Sequence, residues 1–132
     1  MRKKSMAVVA AVAGTALSLG GGGTAFASSN GTWSFSTDYA ASAYFQADPS
    51  GSLTGDTLWV DDDDADGHSA VGVWATSSRS GSVWNSNGSG TRVTDYLELA
   101  EEVSISYVAC WGESSNKDYV YNCDNSPSYG VS

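Results

Sequence analysis

The residues with the most pointed chemistry are a run of carboxylates, Asp61-Asp62-Asp63-Asp64, continued by Ala65, Asp66 and Gly67. Asp62, Asp64 and Asp66 stand at alternate positions before a glycine, as in the first half of a calcium loop, and hard carboxylate oxygens suit Ca²⁺. The second half departs from that pattern. Counted from Asp62, the seventh, ninth and twelfth positions are His68, Ala70 and Val73, so the closing bidentate glutamate is missing and the segment is no EF-hand. A looser site remains as an expectation, because a divalent cation would relieve the repulsion among carboxylates in one short turn, and outside cells a site with Kd of ~10⁻⁴–10⁻³ M can fill. The competing reading is a solvated loop that adds solubility and discourages edge-to-edge pairing.

Aromatic side chains are the second candidate group: Trp33, Tyr44, Trp59, Trp74, Trp84 and Trp111. Flat rings on a sheet face can stack on sugar rings while nearby Asn and Asp bond hydroxyls. Trp59 and Trp74 are out of phase with the aliphatic residues of their segments, Leu58 and Val60 for one, Val71 and Val73 for the other, so both are expected to project to the opposite face. Trp59, Trp74 and Trp84 are therefore the expected ligand-stacking residues. Core packing is the competing fate for each ring.

Catalysis has little support. His68 is the only histidine, its neighbour Ser69 does not make a triad, and a lone histidine excludes multi-histidine zinc sites. Paired carboxylates for glycoside hydrolysis depend on their separation and on a cleft, which a small domain rarely encloses. No catalytic residue is expected.

The elements that must position these residues begin after a leader. Arg2, Lys3 and Lys4 precede an uncharged apolar stretch too short to span a bilayer, and Ala25-Phe26-Ala27 places small residues where a signal peptidase needs them. Cleavage after Ala27 is expected, leaving 28–132 as one secreted domain with no membrane segment. Three basic residues then face fifteen acidic ones, a formal charge of −12, which disfavours nucleic acid and anionic membranes as partners.

The mature chain reads as short runs of β-formers at 32–36, 42–47, 57–60, 69–77, 82–84, 91–99, 103–110 and 119–123, separated by turn residues. The spacing predicts an all-β antiparallel sandwich of 7–8 short strands, or a partly open barrel. Val103, Ile105, Tyr107 and Ala109 alternate with Ser104 and Ser106, and Val71, Val73 and Ala75 form a second alternating set, so each strand should have one buried side. Residues 94–102 also fit a short helix with Asp95 as N-cap, but the alternation of Leu97 and Leu99 favours a strand ending at an acidic turn. Cys110 and Cys123 are the only cysteines, and an exported pair is expected to form one structural disulfide around the Ser114-Ser115-Asn116-Lys117 turn. From about residue 124 onward, with Asn125-Ser126-Pro127, the chain reads as a loosely held tail.

Three segments, Asp66-Gly67-His68-Ser69-Ala70-Val71, Trp84-Asn85-Ser86-Asn87-Gly88-Ser89-Gly90-Thr91 and Val103 through Cys110, make the chain resemble uncharacterised small secreted β-rich proteins of actinobacteria. The resemblance implies export, a β-rich fold and a C-terminal disulfide, and implies no activity; the Asp61–Asp64 run is more acidic than it would lead one to expect. The leading functional expectation is a monomeric, non-catalytic extracellular domain that binds a glycan, the cell wall or a secreted protein. A calcium-stabilised structural or inhibitor-like protein is the alternative, and a small glycoside hydrolase the third.

Overall fold

The computed structural model describes residues 27–49 and 55–132. The expected leader lies outside the described residues up to Phe26, as do residues 50–54. The described chain is all-β, without a helix: β1 (Ser34–Phe35), β2 (Ala41–Gln46), β3 (Thr57–Asp62), β4 (Ser69–Ala75), β5 (Ser80–Asn85), β6 (Thr91–Tyr96), β7 (Ser104–Glu113), β8 (Asn116–Tyr121) and β9 (Ser128–Val131). They form two antiparallel sheets, one of four strands ordered β1-β2-β3-β6 and one of five ordered β5-β4-β7-β8, with β9 also pairing β7.

Period-two patterning builds the layer between the sheets. Ala41, Ala43 and Phe45 of β2 alternate with Ser42 and Tyr44, and Leu58 and Val60 of β3 alternate with Trp59 and Asp61. The first member of each set packs inward against Ile105, Tyr107 and Ala109 of β7 in one buried cluster. Gly72 of β4 lets the sheets approach closely, because a Cβ there would stand 2.7 Å from Val60 Cγ2. Tyr107 is fully buried, its hydroxyl donating to the Thr32 carbonyl, and burial drives its pKa well above the usual phenol value.

A buried asparagine ties the sheets together. The Asn85 amide nitrogen, at the end of β5, donates to Val60 O at 3.1 Å and to Thr91 O at 2.9 Å, reaching both β3 and β6 of the opposite sheet.

Strands β4 and β7 both differ from the expectation of one buried side: in β7, Ser106, Val108 and Cys110 are buried on one face as Ile105, Tyr107 and Ala109 are on the other. Val71 and Val73 join Val108 and Cys110 in a second apolar cluster on the outer face of the five-stranded sheet, roofed by Trp84, Val120 and Cys123. The other face of β4 carries Ala70 and Trp74 into the main core. A central strand is thus covered on both sides, so its alternation cannot tell core from surface.

The disulfide forms as expected: Cys110 in β7 and Cys123 just beyond β8 are bonded, with Cα atoms 4.0 Å apart, across the hairpin that turns at Ser114-Ser115. Residues 94–102 form no helix, but the strand expected through 99 runs only to 96, so the Leu97 and Leu99 pair lies beyond it. β6 ends at Tyr96, Leu97 and Leu99 are buried, and Glu98 and Glu102 take left-handed backbone angles in the acidic turn. The tail expected to hang loose from residue 124 is instead fastened. β9 pairs with β7 from Ser104↔Val131 to Tyr107↔Ser128, Ser29 bridges Val131, and Ser132 is buried with its hydroxyl bonded to Ala100 O. The long β7 offers an edge beyond the reach of β8, and a short strand fills it.

Candidate functional site

The outer face of the four-stranded sheet carries the residues that its inner face excludes. Register aligns Phe35, Ser42, Asp61 and Arg92 in one row across β1, β2, β3 and β6, and Tyr44, Trp59 and Thr94 in the next. Side chains directly opposite in adjacent strands interact, so each row acts as a unit.

Five aromatic rings run along this face. Trp33, just before β1, stacks on Tyr44 with centroids 5.0 Å apart and meets Trp59 edge-on at 6.2 Å; Tyr44 and Trp59 are 5.1 Å apart. In the other direction Trp33 lies 6.3 Å from Phe35, which lies 5.8 Å from Tyr39. Tyr44 and Trp59 are half-buried, whereas Trp33, Phe35 and Tyr39 expose 38%, 42% and 71% of their surfaces and so present the open end of the row.

Tyr39 sits in the turn between β1 and β2 with φ of 60°, a left-handed value uncommon for a bulky residue. The turn is held by Ser36, whose hydroxyl donates to Asp38 at 2.7 Å and accepts from the Ala40 and Ala41 amides at 3.0 and 3.1 Å. Local hydrogen bonding thus fixes an exposed aromatic side chain in a backbone state it does not itself favour.

Charged groups flank the rings. Arg92 donates to both oxygens of Asp61, Nε to Oδ1 at 2.6 Å and Nη2 to Oδ2 at 2.8 Å, and its guanidinium lies over the Trp59 ring at 4.2 Å and over the Trp33 ring at 5.9 Å. The hydrogen bonds to Asp61 hold the guanidinium pKa above its already high value. Asp63 is exposed; Ser42 donates to its Oδ2 at 2.6 Å, and no cation bridges it among the described residues. Trp33, Phe35, Tyr39, Ser42, Asp61, Asp63 and Arg92 enclose a shallow open groove of about 380 Å³. Exposed aromatic rings, hydrogen-bond donors and a carboxylate held by a hydroxyl thus share one groove, the kinds of group that orient ligands in binding sites.

Comparison with protein-family models, curated proteins and solved structures finds no match.

The three expected stacking residues do not gather. Trp59 belongs to the aromatic face just described. Trp74 does lie opposite Val71 and Val73, but that side is the interior: the ring is 6% exposed, packed in the main core with Gly81 beneath it, and this expectation is corrected. Trp84 is half-buried on the far sheet, laid over Gly112, its Nε1 donating to Ser82 Oγ at 3.2 Å and Lys117 Nζ 5.3 Å from its ring.

The aspartate loop is similarly dispersed. Asp62 is buried at the end of β3 and accepts the Asp64 amide at 3.3 Å; Asp66 accepts the His68 amide at 3.0 Å; Asp64 is exposed. Among the described residues no three such side chains are gathered so as to hold a metal ion. Burial, and then repulsion from Asp66, Asp63 and Asp64, raises the Asp62 carboxyl pKa against the single amide bond that lowers it. His68 stacks on Trp111 with centroids 3.9 Å apart, and its Nδ1 lies 2.8 Å from Glu113 Oε2, within ion-pair reach though off the line of a hydrogen bond.

Sequence reasoning missed Phe35, Tyr39 and Arg92. A signal for two of them was present in the order of polar and aromatic residues opposite the Ala41-Ala43-Phe45 and Leu58-Val60 faces, since whatever pairs across from Ser42 and Asp61 must share their side of the sheet. Tyr39 gave no such signal, because its placement depends on the turn.

Proposed function

We propose that this protein is an exported, non-catalytic glycan-binding domain whose binding surface is the outer face of the β1-β2-β3-β6 sheet. The observation that carries the reading is the exposed Trp33-Phe35-Tyr39 end of the aromatic row, joined in one groove to Ser42, Asp61, Asp63 and Arg92. Pyranose rings present flat C–H faces that stack on aromatic rings, and equatorial hydroxyls that need both donors and acceptors at the rim. Here Arg92 supplies donors not used by Asp61, while Asp63 and Ser42 supply acceptors. Strands carry Phe35, Ser42, Asp61 and Arg92, and the Ser36-bonded turn carries Tyr39, so these groups are held in place before a ligand arrives, which limits the entropy lost on binding. The disulfide is consistent with an oxidising compartment and so supports export.

The test is retention in affinity gels containing glucan, xylan, chitin fragments or peptidoglycan glycan strands, with dissociation constants from tryptophan fluorescence. At least one polysaccharide should bind, and a Trp33→Ala/Tyr39→Ala double variant should lose roughly tenfold or more in affinity, about 1.4 kcal/mol, whereas Trp84→Ala should bind as the parent does. Failure of every polysaccharide to bind, or equal binding by the double variant, would refute the proposal.

A further inference from the structure

We infer that the preferred ligand is an amine-bearing glycan, a polymer of 2-amino sugars with free ammonium groups; the inference rests on the glycan-binding reading and names the substrate class of the same groove. Three features of the groove carry it.

The first is the charge that remains after internal pairing. Asp61 is consumed by the two-pronged contact with Arg92, and the two cancel. Asp63 is left as the uncancelled charge, fixed in direction by the Ser42 hydroxyl and touched by Arg92 only at longer range. The groove is therefore net negative, and it holds one carboxylate positioned for a donor.

The second is that the aromatic floor already accepts a cation. Arg92 lies over Trp59 and Trp33, so the ring faces of this row are oriented to receive positive charge, and the open faces of Phe35 and Tyr39 continue the same surface beside Asp63. An ammonium that donates to Asp63 would gain from both the carboxylate and the neighbouring rings.

The third is the surrounding field. The cations among the described residues are all engaged: Arg79 over Trp74 and bonded to Glu98 O, Arg92 on Asp61, Lys117 over Trp84. Against these three stand fifteen carboxylates, so a polyanionic glycan is repelled on approach and a polycationic one is drawn in.

The experiment compares three oligosaccharides of equal length, glucosamine, N-acetylglucosamine and glucose oligomers, in mildly acidic buffer that keeps the amines protonated. The glucosamine oligomer should bind roughly tenfold more tightly than its acetylated counterpart. Asp63→Asn should bring the two affinities to near parity by weakening the glucosamine oligomer far more than the acetylated one, and Trp33→Ala should weaken both. A Glu101→Gln/Glu102→Gln variant, altered far from the groove in the acidic turn before β7, should retain the preference. Equal binding of all three oligomers with loss in Trp33→Ala overturns the inference and leaves the glycan-binding reading standing. A preference that survives in Asp63→Asn, or one that falls equally in the Glu101/Glu102 variant, overturns it as mere net-charge attraction. No binding of any oligomer, together with none in the affinity gels, removes both.

Discussion

Replacing Asn85 by alanine should be among the more damaging single substitutions outside the apolar core, although it removes only a small amide. Its side chain is fully buried, donates to the carbonyls of Val60 and Thr91, and accepts from the Asn87 amide at 3.0 Å and within reach of the Thr91 hydroxyl at 3.2 Å. The partners do not lose equally. Thr91 keeps its better hydroxyl contact, Gly88 O at 2.6 Å, and the Asn87 amide sits in an exposed turn where water replaces the lost acceptor. The Val60 and Thr91 carbonyls are the partners that water reaches least, and each costs about 1–1.5 kcal/mol when its bond is removed. The expected loss is therefore about 2–3 kcal/mol. For a domain of this size that corresponds to a fall of roughly 10–20 °C in Tm. Urea denaturation followed by tryptophan fluorescence, with Asn87→Ala as the control for turn effects, gives the difference directly. A loss below about 1 kcal/mol for Asn85→Ala would mean that Asn85 does not join the sheets and that the reasoning is wrong.

Two further outcomes follow from the placement of individual side chains. Trp74→Ala should cost about 3–5 kcal/mol in chemical denaturation because the ring fills the core, while Trp33→Ala should change stability by less than about 1 kcal/mol; comparable losses would contradict the assignment of one ring to the interior and the other to the exposed aromatic face. Asp62 has a folded pKa raised above its unfolded value, so the native state holds the proton more tightly, and this group favours folding at low pH but loses that contribution as pH rises from about 4 through the folded value. Asp62→Asn should therefore raise Tm at neutral pH and narrow the gain on acidification; a lower Tm at neutral pH would refute it.

The strands were legible because their signal is local. Period-two patterning in 41–46, 57–62 and 104–109 marks extended chain and sends alternate residues to opposite faces, and turn residues between the runs mark where the chain reverses. Two features escaped for the same physical reason, that they depend on what lies across the sheet. In β4 the valines look like a core face and Trp74 like the exposed one, yet a roof made by Trp84, Val120 and the Cys110–Cys123 bridge covers the valines and the second sheet covers Trp74. The tail could not be read as a strand, because Asn125-Ser126-Pro127 is turn chemistry and Ser128–Val131 is too short to signal alone; it is ordered by the free edge of β7.

The aromatic face was harder to see than the fold because no segment contains it. Its cross-strand row draws Phe35, Ser42, Asp61 and Arg92 from four strands, separated in sequence by up to 57 residues, and only the pairing register places them side by side. Arg92 shows why composition misleads here. As one of three cations in an acidic domain it reads as a stray surface charge, yet it neutralises Asp61, lies over Trp59 and borders the groove. Lysine could not substitute for it, since a compact ammonium cannot bond both carboxylate oxygens in one plane while lying flat on an indole. The acidic run is divided by the strand: Asp61 and Asp63 face the aromatic row, and Asp62 between them points the opposite way into the sandwich. Strand periodicity, continued one residue past β3, splits an acidic run into a pair that can meet a ligand and a neighbour that cannot.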